Sequence, residues 1–186
     1  MAAVIDFGPH AMASLRARMA AVEEANRDLV AFARGHSGTV SAIHAAVLEA
    51  TAAEGFDHLV HIVTHVWPDT LGLDAVALAL VAGDRAVRAD ASGLHPVETV
   101  IVARSIDAVD GVELRGGERG HPLFGPAAEL IRTEALIRLG SSERLGRGLL
   151  LLGQRRPQGF ETRAGAELLH FLGAMLSRMI GRWPIP

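Results

Sequence analysis

Gly148-Leu149-Leu150-Leu151-Leu152-Gly153 is the stretch on which the fold turns. Four leucines between glycines are the length of a strand. A strand that carries leucine on both faces must be covered on both, so it belongs in the middle of a sheet. Just upstream, Ala135-Leu136-Ile137-Arg138-Leu139 reads as its neighbour, joined through the polar loop Gly140 to Arg147. Downstream, Thr162 to Arg182 reads as a helix, with Leu168, Leu172, Met175 and Met179 at heptad spacing and Leu169, Leu176 and Ile180 widening the stripe. A second buried strand is Asp74 to Val81, where Val76, Leu78 and Leu80 alternate with Ala75, Ala77 and Ala79. Its large side chains face one way, and the alanines let helices approach on the other side. Ala82-Gly83-Asp84-Arg85 turns into a further strand at Ala86 to Ala89.

The region between these strands is less regular. Val97 to Val102 reads as a strand, Ser105 to Val109 as one helical turn capped by Ser105, and Val112 to Arg115 as a short strand. Pro122-Leu123-Phe124-Gly125-Pro126 opens a helix to about Arg132. Two helical segments precede the sheet. In Phe56 to Leu71, Leu59, Val60, Ile62, Val63, Val66 and Trp67 share a broad face. From Pro9 to Ala53 a heptad seam passes through Leu15, Met19, Val22, Asn26 and Leu29, with polar residues around it. An asparagine at an a position sets a parallel two-stranded register at some cost in stability. The seam therefore predicts a dimerisation arm over residues 1–34, followed by a domain over 35–186, with Gly35 and Gly38 weakening the helix between them. Helices before and after an antiparallel sheet make a two-layer α+β sandwich. The C-terminal stripe, at Leu172, Met175 and Met179, is expected to join the dimer bundle.

Composition removes whole classes of chemistry. The chain of 186 residues has no cysteine and no tyrosine, and all 18 of its basic residues are arginine. Disulfides, thiolate catalysis, zinc ribbons, a Schiff-base lysine, a P-loop lysine and a tyrosine acid are all excluded. A net charge of −3 argues against nucleic acid or an anionic membrane as partner. No apolar stretch nears the roughly 20 residues that span a bilayer. Met1 to Asp6 lacks a basic leader, so a cytoplasmic location is expected.

The arrangement resembles a GAF domain, the sensory fold related to PAS, and is most similar to the GAF-like domain-of-unknown-function family 484. The resemblance rests on Val4-Ile5-Asp6-Phe7, Val40 to Leu48, Leu71 to Leu78, Leu123-Phe124-Gly125 and Ala135 to Leu139. Its most specific part is Gly148 to Gly153, then Phe160 and Glu167 to Leu172. It implies a module that binds a small molecule, or that dimerises and relays a signal through its terminal helices. The motif of cyclic-nucleotide GAF domains, the bilin-anchoring cysteine and the cysteines of sulfoxide-reducing GAF enzymes are all missing. The family's genes often neighbour a site-specific tyrosine recombinase, an association and not a mechanism, which makes a recombinase complex one example of what an adaptor of this family would serve.

In GAF folds the ligand sits between the sheet and the crossing region, here about Arg88 to Arg132. Arg88, His95, Val100, Arg104, His121, Phe124 and Arg132 are the candidate ligand-binding residues. Arginines in an apolar cleft suit a small anionic metabolite. The competing reading places these arginines on the surface and has Leu123 and Phe124 plug the fold. His58, His61 and His65 lie within an arc of about 60° on one helix. That arc is opposite the apolar face, and the ordinary reading is three solvated histidines with no metal. No nucleophile elbow or carboxylate pair stands out, so neither catalysis nor a cofactor is expected. The leading expectation is a sensory or regulatory homodimer that relays binding in the cleft to an unidentified protein. The alternative is a ligand-free adaptor dimer.

Overall fold

The computed structural model describes residues 19, 23–24, 38–140, 146–157 and 163–183. By its contacts the chain divides into Met1–Thr39 and Val40–Pro186. In the first unit, Met19, Glu23 and Glu24 are helical and exposed. Leu15, Val22, Asn26 and Leu29 lie outside the described residues.

The second unit is built on a six-stranded antiparallel sheet. Its strands are β1 (Ala75–Ala82), β2 (Arg85–Asp90), β3 (Gly93–Val97), β4 (Val112–Gly116), β5 (Thr133–Leu139) and β6 (Arg147–Gln154). The order across the sheet is β3-β2-β1-β6-β5-β4, so the two most apolar strands, β1 and β6, lie together at its centre. They pair from Ala75↔Gly153 to Val81↔Arg147, which sets Leu78 opposite Leu150 and Ala79 opposite Leu149. This α+β architecture is the expected one.

On one face pack α1 (described over 40–51), the run α2 (Phe56–His61), a π-helical turn (Ile62–Val66) and α3 (Trp67–Leu71), and the terminal helix α5 (Arg163–Ile180). Leu59, Ile62, Val63 and Trp67 are buried here with Val76, Leu78, Leu80, Ile137, Leu150 and Leu152. The Trp67 indole Nε1 donates to the Ala46 carbonyl at 3.0 Å, tying this run to α1. Gly173 lets α5 close on β5, since a Cβ there would lie 2.5 Å from the Ile137 side chain.

The other face is covered by α4 (Thr99–Asp107) and a 3-10 segment (Pro122–Leu130). Two local expectations are corrected here. Val97 to Val102 is not a strand, because Thr99 onward is α4 and the strand before it is the unforeseen β3. Val102 and Ile106, four residues apart, are buried against the sheet, and that burial overrides the strand preference of a β-branched run. Ser105 is not a cap: it sits within α4 and donates back to the Ile101 carbonyl at 3.0 Å. Pro96 is accommodated because β3 is an edge strand.

Candidate functional site

The cleft between the sheet and the crossing segment is occupied by the chain's own side chains. Val102, Ile106 and Val109 descend from the α4 side, and Leu123, Phe124, Ala128 and Ile131 from the 3-10 side, onto Ala77, Ala79, Leu149 and Leu151. The fit is close enough that Gly153 leaves no room for a methyl group. A Cβ there would lie 2.8 Å from Ile131 Cδ1 and 3.0 Å from Phe124 Cε1. Phe124, a candidate ligand contact, is 1% exposed and forms part of this plug.

At the margin of the plug the structure brings Arg88 and His95 together. They are cross-strand partners in the β2–β3 register, and alternation points both to the crossing face with Asp90. Arg88 Nε lies 2.9 Å from Asp90 Oδ2 in an ion pair that is mostly buried. Asp90 Oδ1 accepts from the Ser92 amide at 2.7 Å and from the Ser92 hydroxyl, and Ser92 Oγ meets His95 Nε2 at 2.8 Å. The pair is roofed by Gly125, whose φ of 60° and ψ of −133° suit glycine alone. A Cβ at Gly125 would lie 2.9 Å from both the Arg88 guanidinium and Asp90 Oδ2. Asp90 was not among the residues singled out from sequence. An acidic residue two positions from Arg88 on the same strand face was the available signal.

His121 belongs to a second cluster. Its Nδ1 accepts from the Leu123 amide at 3.1 Å, capping the 3-10 segment, and its own amide donates to Glu134 Oε2 at 2.6 Å. Glu134 on β5 faces Arg115 on β4, and Arg115 makes a bidentate pair with Glu113. Burial raises the Glu134 carboxyl above its ordinary range, against the hydrogen bond from His121 and the charge of Arg115. Burial, helped by Arg115, holds the His121 imidazole below its ordinary value, so its neutral form is favoured and Nδ1 can accept.

The remaining candidates are dispersed. Val100 and Arg104 lie on the exposed side of α4. The Arg132 guanidinium donates to the carbonyls of Glu129 and Ile131, closing the 3-10 segment. Leu172 and Met179 are buried in the core beside the sheet, with Met175 packed at its edge. The heptad spacing of α5 is thus used within the fold, and its exposed residues include His170, Phe171, Ala174 and Arg178. His61 and His65, four residues apart and so on one side of the helical run, stack at 4.6 Å, and Thr64 Oγ1 meets His65 Nδ1 at 2.8 Å. Among the described residues no three histidine, aspartate or glutamate side chains are placed to hold a metal ion. Nor is any described helix long and apolar enough to cross a membrane.

Comparison with solved structures gives one fold. The GAF domain of a phosphoenolpyruvate-protein phosphotransferase from Coxiella burnetii matches with a TM-score of 0.56 at 12% identity, covering 79% of this chain and 95% of that one. A free methionine-R-sulfoxide reductase from Neisseria meningitidis, solved with its substrate, matches with a TM-score of 0.54 at 17% identity, over 74% and 85% of the two chains. The A. aeolicus nlh2 GAF domain in an inactive state gives 0.52 at 10% identity, over 76% and 94%. Among curated proteins, none matches the chain by sequence. The family model described as "Protein of unknown function, DUF484" matches residues 1–185, and the chain belongs to that family, with a GAF fold.

Proposed function

We propose that this GAF-fold chain is a regulatory adaptor without catalytic activity. It acts as a parallel homodimer through the 1–34 arm and relays to a separate protein partner. The observation that carries this reading is the plugged cleft. Leu123, Phe124 and Ile131 fill the space where a GAF ligand would sit, and Gly153 has no spare volume behind them. An anionic metabolite there would also lack a receptor. Arg88 is held by Asp90, Arg132 by backbone carbonyls, and Arg104 faces solvent. The exposed, helical Met19 on the heptad seam supports the dimer.

Native mass spectrometry of protein purified from its own host tests the adaptor reading. The expected mass is that of two bare chains. A retained small molecule would overturn the reading if its loss follows Phe124→Trp but not substitution of the distant arginines described below. Light scattering on Val22→Glu/Leu29→Glu is expected to give a monomer. A dimer unchanged by both charges would place the interface elsewhere.

A further inference from the structure

A second cleft, of about 870 Å³, opens at the other end of the β5–β6 pair, away from the plug. Its volume is within the usual range for small-molecule sites. Arg138, Arg147, His170, Ser177, Arg178 and Arg182 line it, with Ile106, Leu139 and small residues between them and, among the described residues, no carboxylate in the lining. Arg147 pairs with Asp107 at the rim. The Arg138 and Arg178 side chains have no hydrogen-bond or ion-pair partner among the described residues. On a chain of net charge −3, four arginines line one concavity. Arg147 is paired with Asp107, and the Arg182 guanidinium lies 5.4 Å from the Trp183 ring with Nη1 3.6 Å from Met179 Sδ, which leaves Arg138 and Arg178 as the groups turned to a ligand.

The fold accounts for this convergence, but stability does not require it. Arg138 and Arg147 project from the α4 face of β5 and β6 just beyond Leu136 and Leu149, where the buried layer ends. In the register Arg138 faces Leu149, so Arg147 lies one pleat away on the same face, within reach of a shared ligand. His170, Ala174, Arg178 and Arg182 follow at intervals of four along and just past α5, and Ala174 leaves the floor of the cleft open. Cations near a helix C-terminus offset its dipole, which is a sufficient reason for Arg178 and Arg182. Arg147 has its ion pair with Asp107, and neither reason applies to Arg138, which comes from a strand and whose side chain has no partner among the described residues. Ser177 fixes the two sides together, accepting from the Gly140 amide at 2.9 Å and donating to the Gly173 carbonyl at 2.7 Å.

We propose that this cleft binds a small molecule bearing two or more phosphate groups. Planar guanidiniums hold phosphate oxygens in bidentate pairs, and several of them around one cavity match a polyanion better than a single carboxylate. Among the described lining residues there is no Phe or Trp ring on which a base would stack, so recognition rests on the phosphates. Such a ligand would bridge β5, β6 and α5, and so would give the adaptor an input outside the plugged GAF cleft.

The test is calorimetric titration of the full chain with inorganic pyrophosphate at low ionic strength. Saturable binding that weakens with added salt and raises the melting temperature is expected. Arg138→Glu and Arg178→Gln, both at exposed positions, should each weaken binding about tenfold or more, as loss of a charge-assisted hydrogen bond requires. Arg104→Gln, outside the cleft, should leave it unchanged. The proposal is overturned by absence of saturable binding, by equal affinity in Arg138→Glu and the unsubstituted chain, or by an equal loss in Arg104→Gln. Binding of hexaglutamate with none of pyrophosphate would also overturn it, pointing to an acidic peptide instead. A bare dimer by native mass spectrometry leaves this titration independent, because a weakly held polyanion is lost on purification while the plug is not.

Discussion

Replacing Gly125 by alanine should destabilise the fold by about 3 kcal/mol, from two separable sources. The first is the backbone: φ of 60° with ψ of −133° lies outside the wells open to a residue with a Cβ, at a cost of about 1–3 kcal/mol. The second is contact, since the new methyl would lie 2.9 Å from the Arg88 guanidinium and from Asp90 Oδ2. Arg88 can swing away, but Asp90 is 7% exposed and would then be left as a buried carboxylate without its cation. Either response, overpacking or an unpaired buried group, costs about 1–3 kcal/mol. For a chain of this size, a loss of 3 kcal/mol lowers the melting temperature by about 6–12 °C. Urea and thermal unfolding of Gly125→Ala measure the total. In an Arg88→Ala/Asp90→Ala background the contact part disappears, and the same substitution should cost only the backbone part, about 1–3 kcal/mol. A loss below about 0.5 kcal/mol in the original background would refute the reasoning. So would an undiminished loss in the second background, which would show that the ion pair does not feel Gly125.

The polar cluster at the start of the 3-10 segment makes two pH predictions of opposite sign. Glu134 has a folded-state pKa above 4.5, so the stability it contributes is present in acid and lost as pH rises through that value. Glu134→Gln should therefore become more stable than the unsubstituted protein as pH rises, with the two converging in acid; a constant difference in unfolding free energy from pH 4 to 7 would refute this. His121 has a folded-state pKa below 6.5, so its contribution is present above 6.5 and is lost as pH falls through the folded value. His121→Ala should cost about 1 kcal/mol at neutral pH through loss of the cap, with the gap narrowing in acid. Trp67→Phe removes the bond to the Ala46 carbonyl and leaves space in a site that is 0% exposed, at a cost of about 2 kcal/mol by denaturant titration. Ser177→Ala strands the Gly140 amide and should cost about 1–2 kcal/mol, read in the same way.

Much of this site was legible only in pieces. Arg88, His95 and His121 were drawn from sequence because they are the polar residues of an otherwise apolar crossing region, and Arg88 and His95 do meet across the β2–β3 register. Their partners Asp90 and Glu134 were not found, because an acidic residue in a strand looks the same in sequence whether it faces solvent or a buried arginine. The cleft arginines carried a fainter signal. Arg138 interrupts an apolar strand, and Arg178 and Arg182 are four residues apart, but nothing local brings Arg147 to them from another strand.

What the sequence determined by itself follows from local periodicity. The leucine run of β6 and the alternation in β1 demand a buried central pair, and the stripes of the α2–α3 run and of α5 demand faces packed on that sheet. Those patterns are set by side-chain direction along a single element, which the chain carries wherever it folds. Tertiary structure alone decided the rest. It chose helix over strand for Thr99–Asp107 because Val102 and Ile106 had a sheet to bury against. It placed Leu172 and Met179 of α5 in the core of their own fold, although heptad spacing alone suits a partner helix as well. It also closed one cleft with Phe124 and Ile131 and opened another among arginines from three elements. These outcomes depend on which distant residues share a space, and spacing along the chain does not encode that.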